Sequence, residues 1–402
     1  MTSETNIFSF GENSDPIEKA RAALHAVRQY QQDWQEHGVD RIHKYFDDVE
    51  GDWLENFEAI SVDSAAVPIA KVALSDIVAQ LKALGLSKSF IKNVAFPSWW
   101  RDDFEADQEA ISRLLKSLAR RLVLEVSVSQ ESNLLLDFAP ISARKFKLQK
   151  KQENSELPEL FVYLARCVAS TVLEAVRMPY RSIPRNPSGI RELILKNKNS
   201  SCVSLEGLLD FCWSSGIPVI QFDLLSLFGK GGSRPKKYDG LVDMSKRRPV
   251  VVIGSSRKYS AWLLFILAHE LGHIAHGHLQ EGILSDESFK DGVNDEEEDA
   301  ANQFATQLLF GDISPQWAHN LNQQRLLTKA RCLGQEHSLD PGALILNYGW
   351  QTGNWGCAVA ALNLLEPDAN TPAQINTYYQ RYLVSTDEES RDYLEQIKIL
   401  AA

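Results

Sequence analysis

The stretch Ala261–Leu279, AWLLFILAHELGHIAHGHL, decides how the rest of this sequence is read. Its opening residues, Ala261–Ala268, form the longest uninterrupted apolar run of the chain, too short to cross a bilayer but suited to a buried helix. No proline or glycine interrupts WLLFILA, so the helix should continue into His269-Glu270-Leu271-Gly272-His273, an HExxH pattern. Residues four apart lie on one helix face one turn apart, which lets His269 and His273 aim imidazole nitrogens at one metal ion. Glu270, beside the first of them, is placed to take a proton from a metal-bound water. The competing reading of the same spacing is a histidine pair satisfied by solvent or by the core.

Two histidines and a base do not complete a catalytic zinc site, which needs a third protein ligand and an open position. The extended metzincin pattern would put glycine at 276 and histidine at 279, where this chain has His276 and Leu279, so that class is excluded. An acid on a later helix, as in His₂Glu zinc sites, is the favoured third ligand, and the stretch 294–310, NDEEEDAANQFATQLLF, supplies several candidates. They crowd the first turn of an expected helix, where the dipole favours negative charge. Ala301, Phe304, Ala305, Leu308 and Leu309 then form its apolar stripe. At about 100° per residue, Glu297 and Glu298 both fall near the centre of that stripe, while Asp295, Glu296 and Asp299 point away. Helical spacing alone leaves two candidates.

AHELGHIAHGH (268–278) followed by ExxANxFAxxLL (Glu298 to Leu309) resembles the ImmA/IrrE metallopeptidases. A weaker resemblance extends over about 200–365 and includes LLDFCWSSGIPVI (208–220), KKYDGLV (236–242) and DPGALILNYGW (340–350). The resemblance implies a zinc-dependent endopeptidase with a minimal zincin-like core, acting on a helix-turn-helix repressor to switch on stress, DNA-damage or mobile-element genes. It also implies that His269, His273 and Glu298 are the zinc ligands and Glu270 the general base. Tyr238, Tyr259, His276 and His278 are the candidate donors to a developing oxyanion, and the sequence does not choose among them.

Composition sets the outer bounds. With 402 residues the chain exceeds what one hydrophobic core usually serves, and its 44% hydrophobic and 24% charged content is that of a globular protein. Lys and Arg total 42 against 53 for Asp and Glu, a net −11 that disfavours the whole molecule as a nucleic-acid coat. The charge is uneven: residues 1–140 carry −9, residues 141–260 carry +11, and residues 261–402 carry −13. The basic middle, with ARKFKLQKK at 143–151 and the stretch from Lys230 to Lys258, reads as a solvated face or as a docking surface for an acidic partner. The start of the chain has acids where a secretory leader needs positive charge, which points to the cytoplasm and away from any membrane. Five cysteines without CxxC spacing form no disulfide or zinc-ribbon framework. GKGGS (229–233) lacks the residues of a phosphate loop and reads as a mobile loop near the cleft.

The expected architecture is α+β. Residues 1–150 form a mostly helical region, with helices over Ile17–Trp34, Ile69–Leu84 and Glu109–Leu124 and a loose helix-turn-helix pattern around LGLS (84–87). Residues 151–330 hold the zincin-like core, built from a helix over Leu157–Met178, the loop RSIPRNPSG (181–189), a helix over Leu205–Trp213, strands at Ile217–Phe222 and Pro249–Gly254, and the HExxH helix. Residues 331–402 read as a helical extension, and 141–157 as a linker. The best functional reading is a zinc endopeptidase whose partner is a protein, with direct DNA binding disfavoured because 99–110 is acidic where DNA would lie. The alternative is a DNA-binding or sensor regulator, or a toxin–antitoxin or phage-defence component, that uses the same fold for partner binding.

Overall fold

The computed structural model describes residues 72–128, 134–138, 157–176, 178–196, 201–223, 239–245, 248–277, 283–285, 296–383 and 386–400. All of them belong to one compact unit, Ile69–Ala402. The expected helix Ile17–Trp34, the expected linker 141–157 up to residue 156 and the GKGGS loop lie outside the described residues.

Helix α1 (Leu74–Ala83) is followed, after Gly85, by α2 (Lys88–Phe90), which continues as a π-helical turn over Ile91–Ala95. The Ser87 hydroxyl accepts the Phe90 N–H and so starts this second helix. Asp107 caps α3 (Gln108–Arg121). The expected helix to Leu124 stops earlier because Val123 takes a left-handed φ of 48°. Leu124 instead opens strand β1 (Leu124–Val128), which pairs antiparallel with β2 (Leu134–Phe138). A long helix, α4 (Leu157–Ala175), comes next. Within the expected loop 181–189, Asn186 accepts the Ser188 N–H and Pro187 takes the first turn of α5 (Pro187–Leu195).

The remaining elements surround a small sheet. Ser204 caps α6 (Leu205–Ser214), which leads into strand β3 (Val219–Gln221). Strands β4 (Gly240–Ser245) and β5 (Arg248–Ile253) precede the HExxH helix α7 (Ser260–His276). Strand β6 (Ile283–Ser285) lies between α7 and α8 (Glu296–Phe310). Five helices close the chain: α9 (Gln323–His337), α10 (Pro341–Thr352), α11 (Trp355–Leu365), α12 (Thr371–Tyr382) and α13 (Glu388–Gln396).

The sheet order is β3-β5-β4-β6, with β3 parallel to β5 and the other two pairings antiparallel. Val250, Val251, Val252 and Ile253 are all fully buried, so β5 is covered on both faces. Side chains alternate along β4. Asp243 points to one face, where Arg166 of α4 meets its carboxylate at 3.1 Å. Gly240 opens towards the other, where Ile266 and Glu270 of α7 stand. The sheet therefore lies between α4 and the HExxH helix. At its β3 edge, Asn376 of α12 accepts the Gln221 N–H at 2.9 Å and donates to the Gln221 carbonyl at 3.0 Å, filling the place of a neighbouring strand.

One hydrophobic core runs through the described residues, from Ile77 and Leu114 near the chain start to Tyr393 near its end. Two arginines fasten its outer parts. Arg121 of α3, almost fully buried, bonds the carboxylates of Glu389 and Asp392, the Gln396 side chain and the Val94 carbonyl. Arg191 of α5 donates to the Leu308, Leu309 and Ser338 carbonyls, meeting the open acceptors at the ends of α8 and α9. Among the described residues, no helix is long and apolar enough to cross a membrane.

Candidate metal centre

The helix that presents the site is held by burial. Leu263, Leu264, Ile266, Leu267, Ala268 and Leu271 are all buried, and each large aliphatic side chain so removed from water contributes roughly 1.5–3 kcal/mol. His269, Glu270 and His273 are equally inaccessible, at 1% exposure each. Polar side chains at that depth need partners. Gly277 ends the helix one residue beyond His276 in the left-handed conformation.

His269 Nε2 and His273 Nε2 stand 3.1 Å apart. Glu298, on the first turn of α8, faces both: one carboxylate oxygen lies 3.3 Å from His269 Nε2 and the other 3.4 Å from His273 Nε2. Among the described residues these three form the group able to hold a metal ion. Ligands about 2.1 Å from a tetrahedral zinc are separated by roughly 3.4 Å, so the observed spacings fit that ion, as does a donor set of two imidazoles and one carboxylate. Glu297, which helical spacing could not separate from Glu298, is outside the group.

Two glycines set this geometry, and neither role was legible in the sequence. Gly272, between the histidines, lies against α8: a Cβ there would come within 2.9 Å of Ala301 Cα and 3.1 Å of the Ala301 carbonyl oxygen. Ala301 is three residues after Glu298, so the close approach of the two helices brings the carboxylate to the histidines. Gly240, at the start of β4, lies against Glu270: a Cβ there would stand 2.5 Å from Glu270 Oε1. Absence of a side chain at 240 leaves room for the acid beside the histidine pair. Asn302 sits inside the ANxFA motif, where no spacing rule marks it as a site residue. Its Oδ1 lies 3.0 Å from His269 Nδ1, the ring nitrogen turned away from the cluster.

The four candidate oxyanion donors divide. Tyr238 and His278 lie outside the described residues. Tyr259 precedes His269 by ten residues, about 15 Å along the helix, and its hydroxyl meets Asn363 Oδ1 at 3.3 Å, so it belongs to the far end of α7. His276 is the last residue of α7, is exposed, and sets its ring edge-on to Phe304 at 5.7 Å. In sequence it lies about one turn beyond His273.

The five cysteines are free thiols. Burial pushes the Cys167 and Cys212 thiols well up and that of Cys202 to about 11, which suppresses the thiolate needed for nucleophilic chemistry.

Residues 215–320 match the family model of the IrrE N-terminal-like domain, Peptidase_M78, consistent with an ImmA/IrrE family metallopeptidase. The matched segment runs from the entry into β3 to the residues after α8 and contains every residue of the cluster. It supports a metallopeptidase-type function. No curated protein matches the chain.

Proposed function

We propose that the protein is a zinc-dependent endopeptidase in which His269, His273 and Glu298 hold the metal and Glu270 is the general base. The observation that carries this reading is the convergence of two imidazole nitrogens and one carboxylate at 3.1–3.4 Å, with a second acid, Glu270, buried on the helix that bears the two histidines. When bound, zinc supplies a Lewis acid that polarises the scissile carbonyl and acidifies a water. Glu270 takes the water proton and delivers it to the leaving amine. Its burial against Gly240 keeps bulk water from competing for the carboxylate. Glu298 and the histidines are fixed by the Gly272–Ala301 packing, so the donors need little reorganisation on taking up the metal.

The proposed substrate is a helix-turn-helix transcriptional repressor in the cytoplasm, whose cleavage releases stress, mobile-element or defence genes. The resemblance of AHELGHIAHGH and ExxANxFAxxLL to the ImmA/IrrE peptidases supports it. Direct DNA binding by the 74–138 region is the weaker alternative. Arg121, at the end of α3, is buried against Glu389 and Asp392 and so is not offered to phosphates, and its neighbour Arg120 is paired with Asp387.

The decisive experiment incubates the zinc-loaded protein with any helix-turn-helix repressor found encoded beside its gene, with and without chelator, and weighs the fragments by mass spectrometry. Discrete fragments that vanish with chelator are expected. An intact repressor in the zinc-loaded reaction would sink the proposal.

A further inference from the structure

One helix addresses both ring nitrogens of His269. Glu298 and Asn302 are four residues apart on α8 and therefore share a face. The Glu298 carboxylate lies 3.3 Å from His269 Nε2, and Asn302 Oδ1 lies 3.0 Å from Nδ1. The imidazole is thus spanned from two sides by residues one helical turn apart. We infer that Asn302 is a positioning residue of the metal centre, holding His269 in the tautomer and ring orientation that present the Nε2 lone pair to the ion.

The argument is one of proton bookkeeping. A neutral imidazole carries its proton on one nitrogen only. An amide oxygen can accept but has no proton to give, so its contact with Nδ1 requires the proton to be there. Nε2 is then the basic nitrogen, and it faces His273 and Glu298. His269 is 1% exposed, so water is a poor substitute for the acceptor. The opposite tautomer would place a proton on Nε2, inside the cluster, and set the Nδ1 lone pair against the amide oxygen. Without Asn302 a buried N–H would lose its partner and the ring would be free to turn about its bond to the helix.

This inference rests on the zinc reading above and goes beyond it, since neither the HExxH pattern nor helical spacing assigns Asn302 a role. The test measures zinc affinity of the full chain by competition with a chromogenic chelator, for the parent and for Asn302→Ala, Asn302→Asp and Gln303→Ala. Loss of the supporting bond should weaken zinc binding about 10–100-fold in Asn302→Ala. Asn302→Asp keeps an acceptor at the same reach and should restore most of the affinity. Gln303→Ala alters an exposed neighbour and should leave it unchanged. Should Asn302→Ala fail to fold, Asn302→Ser, whose hydroxyl is too short to reach Nδ1, must show the same weakening. Parent-like zinc affinity in the Ala or Ser variant would overturn the assignment, and so would equal weakening by Asp and Ala. A parent chain that takes up no zinc would overturn the metal reading beneath it. Cleavage is not the readout, so a chain that binds zinc but cuts nothing would fail the peptidase proposal and leave this one standing.

Discussion

Gly272 and Ala301 touch backbone to backbone: a single added carbon at 272 would lie 2.9 Å from Ala301 Cα, with Phe304 Cβ at 3.2 Å behind it. Neither contact belongs to a flexible side-chain tip, so the strain could be relieved only by moving one helix. Gly272→Ala should therefore cost about 1–3 kcal/mol through overpacking, despite the higher helix propensity of alanine. Because Glu298 is carried by the displaced helix, zinc stoichiometry should fall along with the melting temperature. A variant with raised stability and full zinc content would show that the helices do not depend on this contact.

Glu270 is adjacent to His269 in sequence without being one of the three converging groups. Glu270→Gln keeps the volume and a polar end while removing the base. The variant should retain zinc and lose at least about 100-fold in peptide hydrolysis. Zinc analysis and a fragment assay on the same preparation check it. Parent-like cleavage would remove Glu270 from the mechanism.

The acids at the start of α8 offer a paired comparison. Glu298→Gln should lose metal and activity together, because its carboxylate meets both histidines. Glu297→Gln should keep both, being outside the cluster. Metal content measured side by side is sufficient. Loss of zinc in the Glu297 variant alone would reverse the assignment.

How much of this was legible before folding depends on how far apart the partners lie in sequence. An unbroken apolar run followed by HExxH is local information, and α7 covers Ser260–His276, although left-handed Gly277 stops it short of the end of the Ala261–Leu279 stretch expected to be helical. Strands β3 and β5 were visible as short β-branched runs between turn formers. Strand β4 was not, because GLVDMS contains an aspartate whose burial makes sense only once Arg166, distant in sequence, is seen to neutralise it. The end of α3 was overrun because one left-handed residue, Val123, breaks a stripe that stays apolar into β1. Asn186-Pro187 lies in a stretch rich in turn formers, which hides that asparagine before proline is also a helix start. At the site, spacing narrowed five acids to two. Separating them needs the docking of α7 on α8, which Gly272 permits but no local pattern encodes. Asn302 stood in plain view inside its motif, yet its target is 33 residues away.

Arg121 gives the last prediction, one of pH dependence. Its guanidinium is almost fully buried and faces Glu389 and Asp392 of α13, with Tyr393 beneath it at 5.6 Å. Burial alone would raise the Asp392 carboxyl, but the Ser98 N–H and the Arg121 charge outweigh it and hold the group below its usual 3.8. Asp387, beside Ser390 and Arg120, is held down in the same way against its own burial. A carboxyl whose folded value is depressed adds stability above its unfolded value and loses it as pH falls through the folded one. The fold should therefore hold its melting temperature down to about pH 4 and lose it progressively below. Arg121→Met should cost about 3–5 kcal/mol near neutrality, since it strands two acids in a poorly hydrated place. That cost should shrink as the pH falls, because Asp392, deprived of the guanidinium and pushed up by its burial, takes up its proton more readily than in the parent. Asp392→Asn, a milder change, should flatten the acid limb of the curve without the full loss at neutral pH. Melting curves of the three proteins from pH 7 to pH 3 decide it. A constant gap between parent and Arg121→Met across that range would mean that packing of the arginine stem, and not its charge, holds α3 to α13.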